Sequence, residues 1–310
     1  MQKPKLIATS VVRGSQQGES HGGVYLIDFE RQVVEQRVDW NTGEIDFTGR
    51  GADRGLRGIA FDGDDIYIAA SDELFCYDRN FRIQRSWRNP FLKHCHEICR
   101  RDRKILLTST GFDSLLVFDL DEAAFVWGIQ IHCDSDGRWQ GHVFDPGSSV
   151  GPGPRNQSHI NSAFIDDHGI YVSGLHTRAL LHVSSENEVR EYCTLPVGTH
   201  NAQPFGDGVL FNDTANNHVR YVTQEHAVAM PVLLYPDEEL LYSGVDASHV
   251  ARQGFGRGLT SVSETLIAAG SSPSTISLYD LDAGQCVDAV NISMDIRNAI
   301  HGLEVWPYED

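Results

Sequence analysis

The chain has 310 residues, a formal net charge of −18 at pH 7 and a pI of about 5.1. Phosphate backbones need a basic face, so this balance excludes nucleic acid as an expected partner. No run approaches the roughly 18 apolar residues that span a bilayer, and the opening Met1-Gln2-Lys3-Pro4-Lys5-Leu6 lacks the apolar core of a signal peptide.

The expectation is a cytoplasmic protein with no membrane contact. Its Asn-x-Ser/Thr matches at Asn156, Asn212 and Asn291 then carry no meaning. Six cysteines are present without a Cys-x-x-Cys pair, and a chain this long needs no disulfides to fold. Cys76 and Cys193 sit in strand patterns and read as core. Cys95 and Cys99, near a histidine cluster, are weaker metal-ligand candidates.

Taken in order, the chain repeats itself. Lys5-Leu6-Ile7-Ala8-Thr9 reads as the second strand of a unit whose third strand ends in Leu26-Ile27-Asp28. The clearest unit follows. Gly58-Ile59-Ala60-Phe61 is a first strand, and Asp62-Gly63-Asp64-Asp65 is a turn with the Asp-Gly chemistry that supplies positive φ. Ile66-Tyr67-Ile68-Ala69-Ala70, Leu74-Phe75-Cys76-Tyr77-Asp78 and Arg82-Ile83-Gln84-Arg85-Ser86-Trp87 are three more strands.

An apolar pair followed by Asp recurs at the third-strand ends Cys76-Tyr77-Asp78, Val117-Phe118-Asp119 and Leu278-Tyr279-Asp280. Asp suits that position because its carboxylate accepts N–H groups of the next turn. His182-Val183-Ser184 and Tyr221-Val222-Thr223 are weaker copies. Six copies predict an all-β, six-bladed β-propeller of four antiparallel strands per blade, filling 1–310 as one domain. Blades two to six span about 55–88, 94–130, 158–195, 198–232 and 257–292. Blade one takes its first strand from His301-Gly302-Leu303-Glu304-Val305-Trp306, so both chain ends share a blade and close the ring.

The stretch from Gly58 to Ala69 resembles the repeat of NHL-type and streptogramin-lyase-type six-bladed propellers. That resemblance implies the architecture, not a function. The recurring histidines are similar in kind to those of the peptidyl-hydroxyglycine amidating lyase, a six-bladed propeller that holds zinc with histidines in its channel. It implies an axial histidine site and no residue-by-residue match.

In a propeller the first strands line the channel. Arg57, His96, His200 and Arg257 each stand nine residues before the second strand of their blade, and His301 takes the same place in blade one. In blade four Asn161 holds that spacing, and a hairpin longer by two residues would bring His159 there instead. The long connections 38–54, 131–157 and 231–256 fall on the same face. So do the second-to-third-strand loops with His21, Thr110, Asp113, His176, Arg178, Asp213, Asn216, His218 and Ser272.

Imidazoles suit a divalent transition metal, zinc or iron first, and His96, His159, His200 and His301 are the expected ligands, with His94 able to substitute. Arg57 and Arg257 are the expected catalytic cations, gripping a small anionic molecule or stabilising developing negative charge. Asn161, His176, Arg178 and His218 are expected to touch substrate. Glu97 reads as a general base or as an inter-blade carboxylate. Trp139, Tyr242 and Phe255 are candidates for an apolar ligand wall, and Trp127 and Trp306 for inter-blade packing.

The leading expectation is a metal-dependent lyase or hydrolase acting on that anion. The alternatives are a non-catalytic propeller binding a ligand or protein on the same face, a metal-free carboxylate-binding enzyme, and a non-haem iron oxygenase. The last follows the all-histidine site of carotenoid-cleaving propellers, which have seven blades. Oligomeric state is not legible in the sequence.

Overall fold

The computed structural model describes residues 3–41, 55–244 and 251–309. Parts of two long connections, 42–54 and 245–250, lie outside them. The chain is all-β, with six antiparallel sheets and only three short 3-10 turns among the described residues.

Sheet one contains β1 (Lys5–Val12), β2 (Gly22–Asp28) and β3 (Val33–Asp39). Sheet two is β4 (Ile59–Asp62), β5 (Asp65–Ala69), β6 (Glu73–Tyr77) and β7 (Ile83–Arg88). Sheet three is β8 (Ile98–Arg101), β9 (Lys104–Ser109), β10 (Ser114–Asp119), β11 (Ala124–Cys133) and β12 (Trp139–Phe144). Sheet four is β13 (Ile160–Asp166), β14 (Gly169–Gly174), β15 (Ala179–Val183) and β16 (Val189–Thr194). Sheet five is β17 (Thr199–Phe205), β18 (Gly208–Asp213), β19 (His218–Val222) and β20 (Ala227–Pro231). Sheet six is β21 (Leu259–Ser261), β22 (Leu266–Ser271), β23 (Thr275–Asp280) and β24 (Gln285–Asn291). The last strand, β25 (Asn298–Val305), pairs with β1, giving sheet one the order β25-β1-β2-β3 expected of a shared blade. These are the six blades of a β-propeller.

The local chemistry is as the sequence predicts. Gly63 takes φ +58° in the turn between β4 and β5. Each recurring Asp caps the turn after its third strand. Asp78 Oδ1 accepts the N–H groups of Asn80 and Arg82, both at 2.9 Å. Asp119 Oδ1 accepts from Asp121 and Glu122, and these bonds hold its carboxyl below the usual carboxylate range. Asp28 and Asp280 do the same for Arg31 and Ala283.

Sheet three departs from the expectation. The connection 131–157 contains a fifth strand, β12, paired with β11 from Gly128↔Phe144 to Cys133↔Trp139. Trp139 therefore lies on an added edge strand. Its indole N–H donates to Glu191 Oε1 at 3.2 Å, and it packs on the cluster shared by sheets three and four instead of forming a ligand wall. The Gly/Pro-rich stretch 145–154 carries no strand, as expected.

The chain divides into two compact units. The first holds 1–57, 206–208 and 212–310, and the second holds 58–205 and 209–211. Sheets one and six belong to the first, and sheets two to four to the second. In both, middle strands are buried on both faces while outer strands are exposed. All but the first residue of β5 is buried, whereas five of the six residues of β7 are exposed. Sheet-on-sheet burial is therefore the main stabilising term.

In the second unit Tyr67, Leu74, Leu107 and Phe118 join sheets two and three, with Trp87 and Phe118 ring centroids 4.7 Å apart. Burying a side chain such as Phe118 contributes about 1.5–3 kcal/mol. In the first unit Leu6, Ile27, Ile276, Leu278 and Ile300 join sheets one and six.

Candidate functional site

The expected site residues divide between the two units. In the second unit, two features place His96 and His159. Thr108, fully buried on β9, accepts the N–H groups of His96 at 2.9 Å and Glu97 at 3.0 Å through one hydroxyl. Asp113, also fully buried, accepts the N–H groups of Gln157 and Ser158 at 2.7 and 2.9 Å, which folds the chain just before His159. Burial pushes the Asp113 carboxyl up, and these backbone donors oppose the shift.

The His96 and His159 rings meet edge to face with centroids 5.5 Å apart. His96 Nδ1 lies 2.8 Å from the His94 carbonyl and 2.9 Å from Thr110 Oγ1. A carbonyl only accepts, so the proton sits on Nδ1. Thr110 is consistent with this because its own hydroxyl proton goes to the Ile160 carbonyl. His159 Nδ1 likewise donates to Asn156 Oδ1 at 2.9 Å. Both tautomers make Nε2 the basic nitrogen, which is how metal-ligating or proton-accepting histidines are commonly set.

The blade-four choice between His159 and Asn161 resolves differently from either expected route. The β13–β14 hairpin is no longer than that of blade two, since each has two residues between its last paired positions. Instead the register slips between Ile160 and Ser162, leaving Asn161 as the extra residue of a bulge. His159 takes φ +52° and meets His96, while Asn161 is buried with Nδ2 3.3 Å from the Thr199 carbonyl. Its Oδ1 is buried without a hydrogen-bond partner among the described residues.

His200 is 2% exposed on β17. Glu97 Oε2 accepts Asn201 Nδ2 at 2.5 Å, the inter-blade role. His176 and Arg178 are exposed in the loop before β15, away from any described side-chain bond to the histidine pair. Cys95 is buried with its sulfur toward the Glu97 carbonyl and Thr108, a core setting. Among the described residues no group of three or more His, Cys, Asp or Glu side chains is gathered to hold a metal ion. His96 and His159 offer two of the three side-chain ligands that a catalytic zinc takes.

The first unit presents cations. Fully buried Thr9 donates its hydroxyl to the Arg57 carbonyl at 2.5 Å and accepts the Gly302 N–H at 2.8 Å. This clip sets the 2% exposed Arg57 beside the strand that carries His301. Only glycine fits at 302, since a Cβ there would stand 2.2 Å from the Arg57 carbonyl oxygen. Arg257 Nη1 lies 3.0 Å from His301 Nε2. A guanidinium only donates, so that imidazole nitrogen presents its lone pair to Arg257.

The centre of this group is Phe255, one of the expected wall residues. The guanidinium carbons of Arg13, Arg257 and Arg252 stand 4.2, 4.6 and 5.3 Å from its ring centroid. Cation–π attraction holds such carbons at this range. Among the described residues Arg252 bonds only neutral acceptors: Asn217 Oδ1 at 2.5 Å, the Gln253 carbonyl at 3.0 Å and the Thr214 carbonyl. Burial pushes its pKa down.

Arg13 and Arg252 are absent from the sequence reading because neither holds the first-strand register. Arg13 follows β1, and Arg252 sits in a long connection. Their one signal is that basic residues recur at strand exits in an acidic chain. Tyr242 faces Arg297, whose guanidinium lies 3.8 Å from its ring centroid, and is not in the Phe255 group. His218 turns its Nδ1 to the Asn216 carbonyl at 2.7 Å, a local turn contact.

No protein-family model matches the chain, and no curated protein sequence matches it. Solved structures share its fold. A protein of unknown function from Bacteroides caccae aligns over 97% of this chain and 98% of its own, with 10% identity and a TM-score of 0.58. A chain of the nidogen/laminin complex aligns over 97% of both, with 11% identity and a TM-score of 0.60. Streptogramin B lyase aligns over 73% of this chain and 68% of its own, with 15% identity and a TM-score of 0.44. At these identities the likeness is one of fold alone. Among the described residues no helix is long and apolar enough to cross a membrane.

Proposed function

We propose that this β-propeller binds a small anionic metabolite, a carboxylate or phosphate ester, at the arginine group around Phe255. The observation that carries the reading is Arg252, a partly buried guanidinium with only neutral partners, gathered with Arg13 and Arg257 on one aromatic ring. Planar guanidinium forks fit carboxylate and phosphate oxygens in pairs. Arg57, fixed beside Gly302, adds a further cation to the same unit. Phe255 supplies the apolar surface that positions them.

The reading is tested by thermal-shift screening with succinate, citrate, inorganic phosphate and sugar phosphates at constant ionic strength, against neutral analogues. Anions of two or more charges should raise Tm in a saturable way in the wild type and not in Arg252→Gln. Equal shifts from neutral analogues, or an unchanged response in the variant, would refute it.

A second reading is favoured by the histidine pair. We infer that His96 and His159 accept a divalent transition metal, zinc or iron, through Nε2, because both Nδ1 protons are committed to oxygen acceptors. Such an ion would acidify bound water or polarise a carbonyl, which is the route to lyase or hydrolase chemistry. Metal content by mass spectrometry, beside His96→Ala and His159→Ala, tests it. About one metal per chain, lost in both variants, is the expected result; none after reconstitution with zinc and iron would dismiss it.

A further inference from the structure

A cleft of about 360 Å³ opens in the first unit, between the β1–β2 loop, β3 and the connection into β25. Its volume is at the small end of ligand pockets. We propose that it binds a small organic polycation carrying primary ammonium groups, of polyamine size. The lining carries three carboxylates: Glu19 and Asp39 stand at the exposed rim, and Asp295 lies deeper beside Tyr25, Asn298 and the one cation, Arg297.

The one cation there is already matched. Arg297 makes a bidentate pair with Asp295, its Nε 3.1 Å from Oδ1 and its Nη2 2.9 Å from Oδ2. Its Nη1 stays 3.6 Å from Glu19. Among the described residues Asp39 meets no cation: its oxygens accept from Ser20 Oγ at 2.5 Å and Asn41 Nδ2 at 3.5 Å. Three carboxylates, Glu19, Asp39 and Asp295, against the one arginine of the lining leave the cleft negative.

A separate observation points to a ligand. Asn298 is 7% exposed and lines the cleft, yet its Oδ1 has no hydrogen-bond partner among the described residues. A buried acceptor left unmade is costly, and a donor entering the cleft would satisfy it. Asp39 also acts electrostatically on the Tyr25 phenol, which burial pushes up and which lies beside Asn298, so the rim charge reaches the deeper wall. A carboxylate-rich cavity with net negative charge favours a ligand made of donors and positive charge. An ammonium has three donors and no acceptor. A chain of methylenes between two such groups spans rim to wall and covers Val12 and Ile292 on the way.

The test is calorimetric titration of the full chain with spermidine and 1,4-diaminobutane at fixed ionic strength, with magnesium chloride as the inorganic control. One saturable site is expected, with affinity falling at least tenfold in Asp39→Asn and unchanged in Asp282→Asn, a carboxylate outside the cleft. Asn298→Asp, which adds an anionic acceptor where the orphaned oxygen sits, should tighten spermidine binding, and its Tm reports whether it folds. Absence of saturable binding would overturn the proposal. So would equal affinity in Asp39→Asn, or full displacement by magnesium at matched charge, which would mean screening alone.

Discussion

The two units use one backbone device to present different chemistry. In each, a buried threonine near the end of a second strand grips the entry of a first strand. Thr108 holds the N–H groups of His96 and Glu97, and Thr9 holds the Arg57 carbonyl and the Gly302 N–H. A second threonine pins the next sheet: Thr110 bonds the Ile160 carbonyl and Thr214 the Gly256 carbonyl at 2.7 Å. The side chains so presented differ. The second unit offers two imidazoles whose Nδ1 atoms bond oxygen acceptors, whereas the first offers guanidiniums around an aromatic ring. The repeat thus fixes where a functional side chain stands and leaves its chemistry open, which is why a shared fold gives no function.

The comparison can be broken most severely at the clip of the first unit. Gly302→Ala places a Cβ against the Arg57 carbonyl, and backbone cannot yield there as a side-chain tip can. A loss of more than about 3 kcal/mol in urea denaturation is expected, and wild-type stability would show the clip to be incidental.

The far ends of the first strands differ too. On β25, Glu304 is half-buried with Thr260 Oγ1 3.0 Å from its Oε2, and desolvation raises its pKa to about 7 while that bond opposes the shift. On β8, Arg100 instead pairs at 3.4 Å with Asp62. A carboxyl with a raised folded pKa favours folding below its ordinary value near 4.5. That contribution is lost as pH rises through about 7. Glu304→Gln should therefore match wild type at pH 4 and gain about 1–3 kcal/mol over it at pH 8.5. Parallel pH–stability curves would contradict this. At the smaller end, Thr108→Ala removes the acceptor shared by two part-buried N–H groups and should cost about 1–2 kcal/mol. It should also disturb the His96 ring resonances by NMR while leaving anion binding in place.

The repeat was legible because its signals are local. An Asp after an apolar pair caps its own turn, and Asp-Gly makes its own hairpin, so both survive without knowledge of tertiary contacts. The pairing of β25 with β1 followed from counting strands. Strand β12 escaped because an edge strand satisfies only one neighbour and its residues, Trp139 to Phe144, alternate weakly. The bulge at Asn161 escaped because a one-residue slip leaves no mark in composition. His159 and His96 were legible as register members, but their tautomers come from His94, Thr110 and Asn156, whose relevance is a matter of distance. Arg13 and Arg252 converge on Phe255 from separate segments, and only folding brings them together.

The central claim is that the arginine group, not the histidine pair, holds the anion. Isothermal titration of citrate into wild type, Arg252→Gln and His96→Ala at fixed salt tests it most directly. The account predicts saturable binding in wild type and His96→Ala, and at least a tenfold loss in Arg252→Gln, about 1.4 kcal/mol. Binding that survives in Arg252→Gln and disappears in His96→Ala would contradict it and move the site to the second unit.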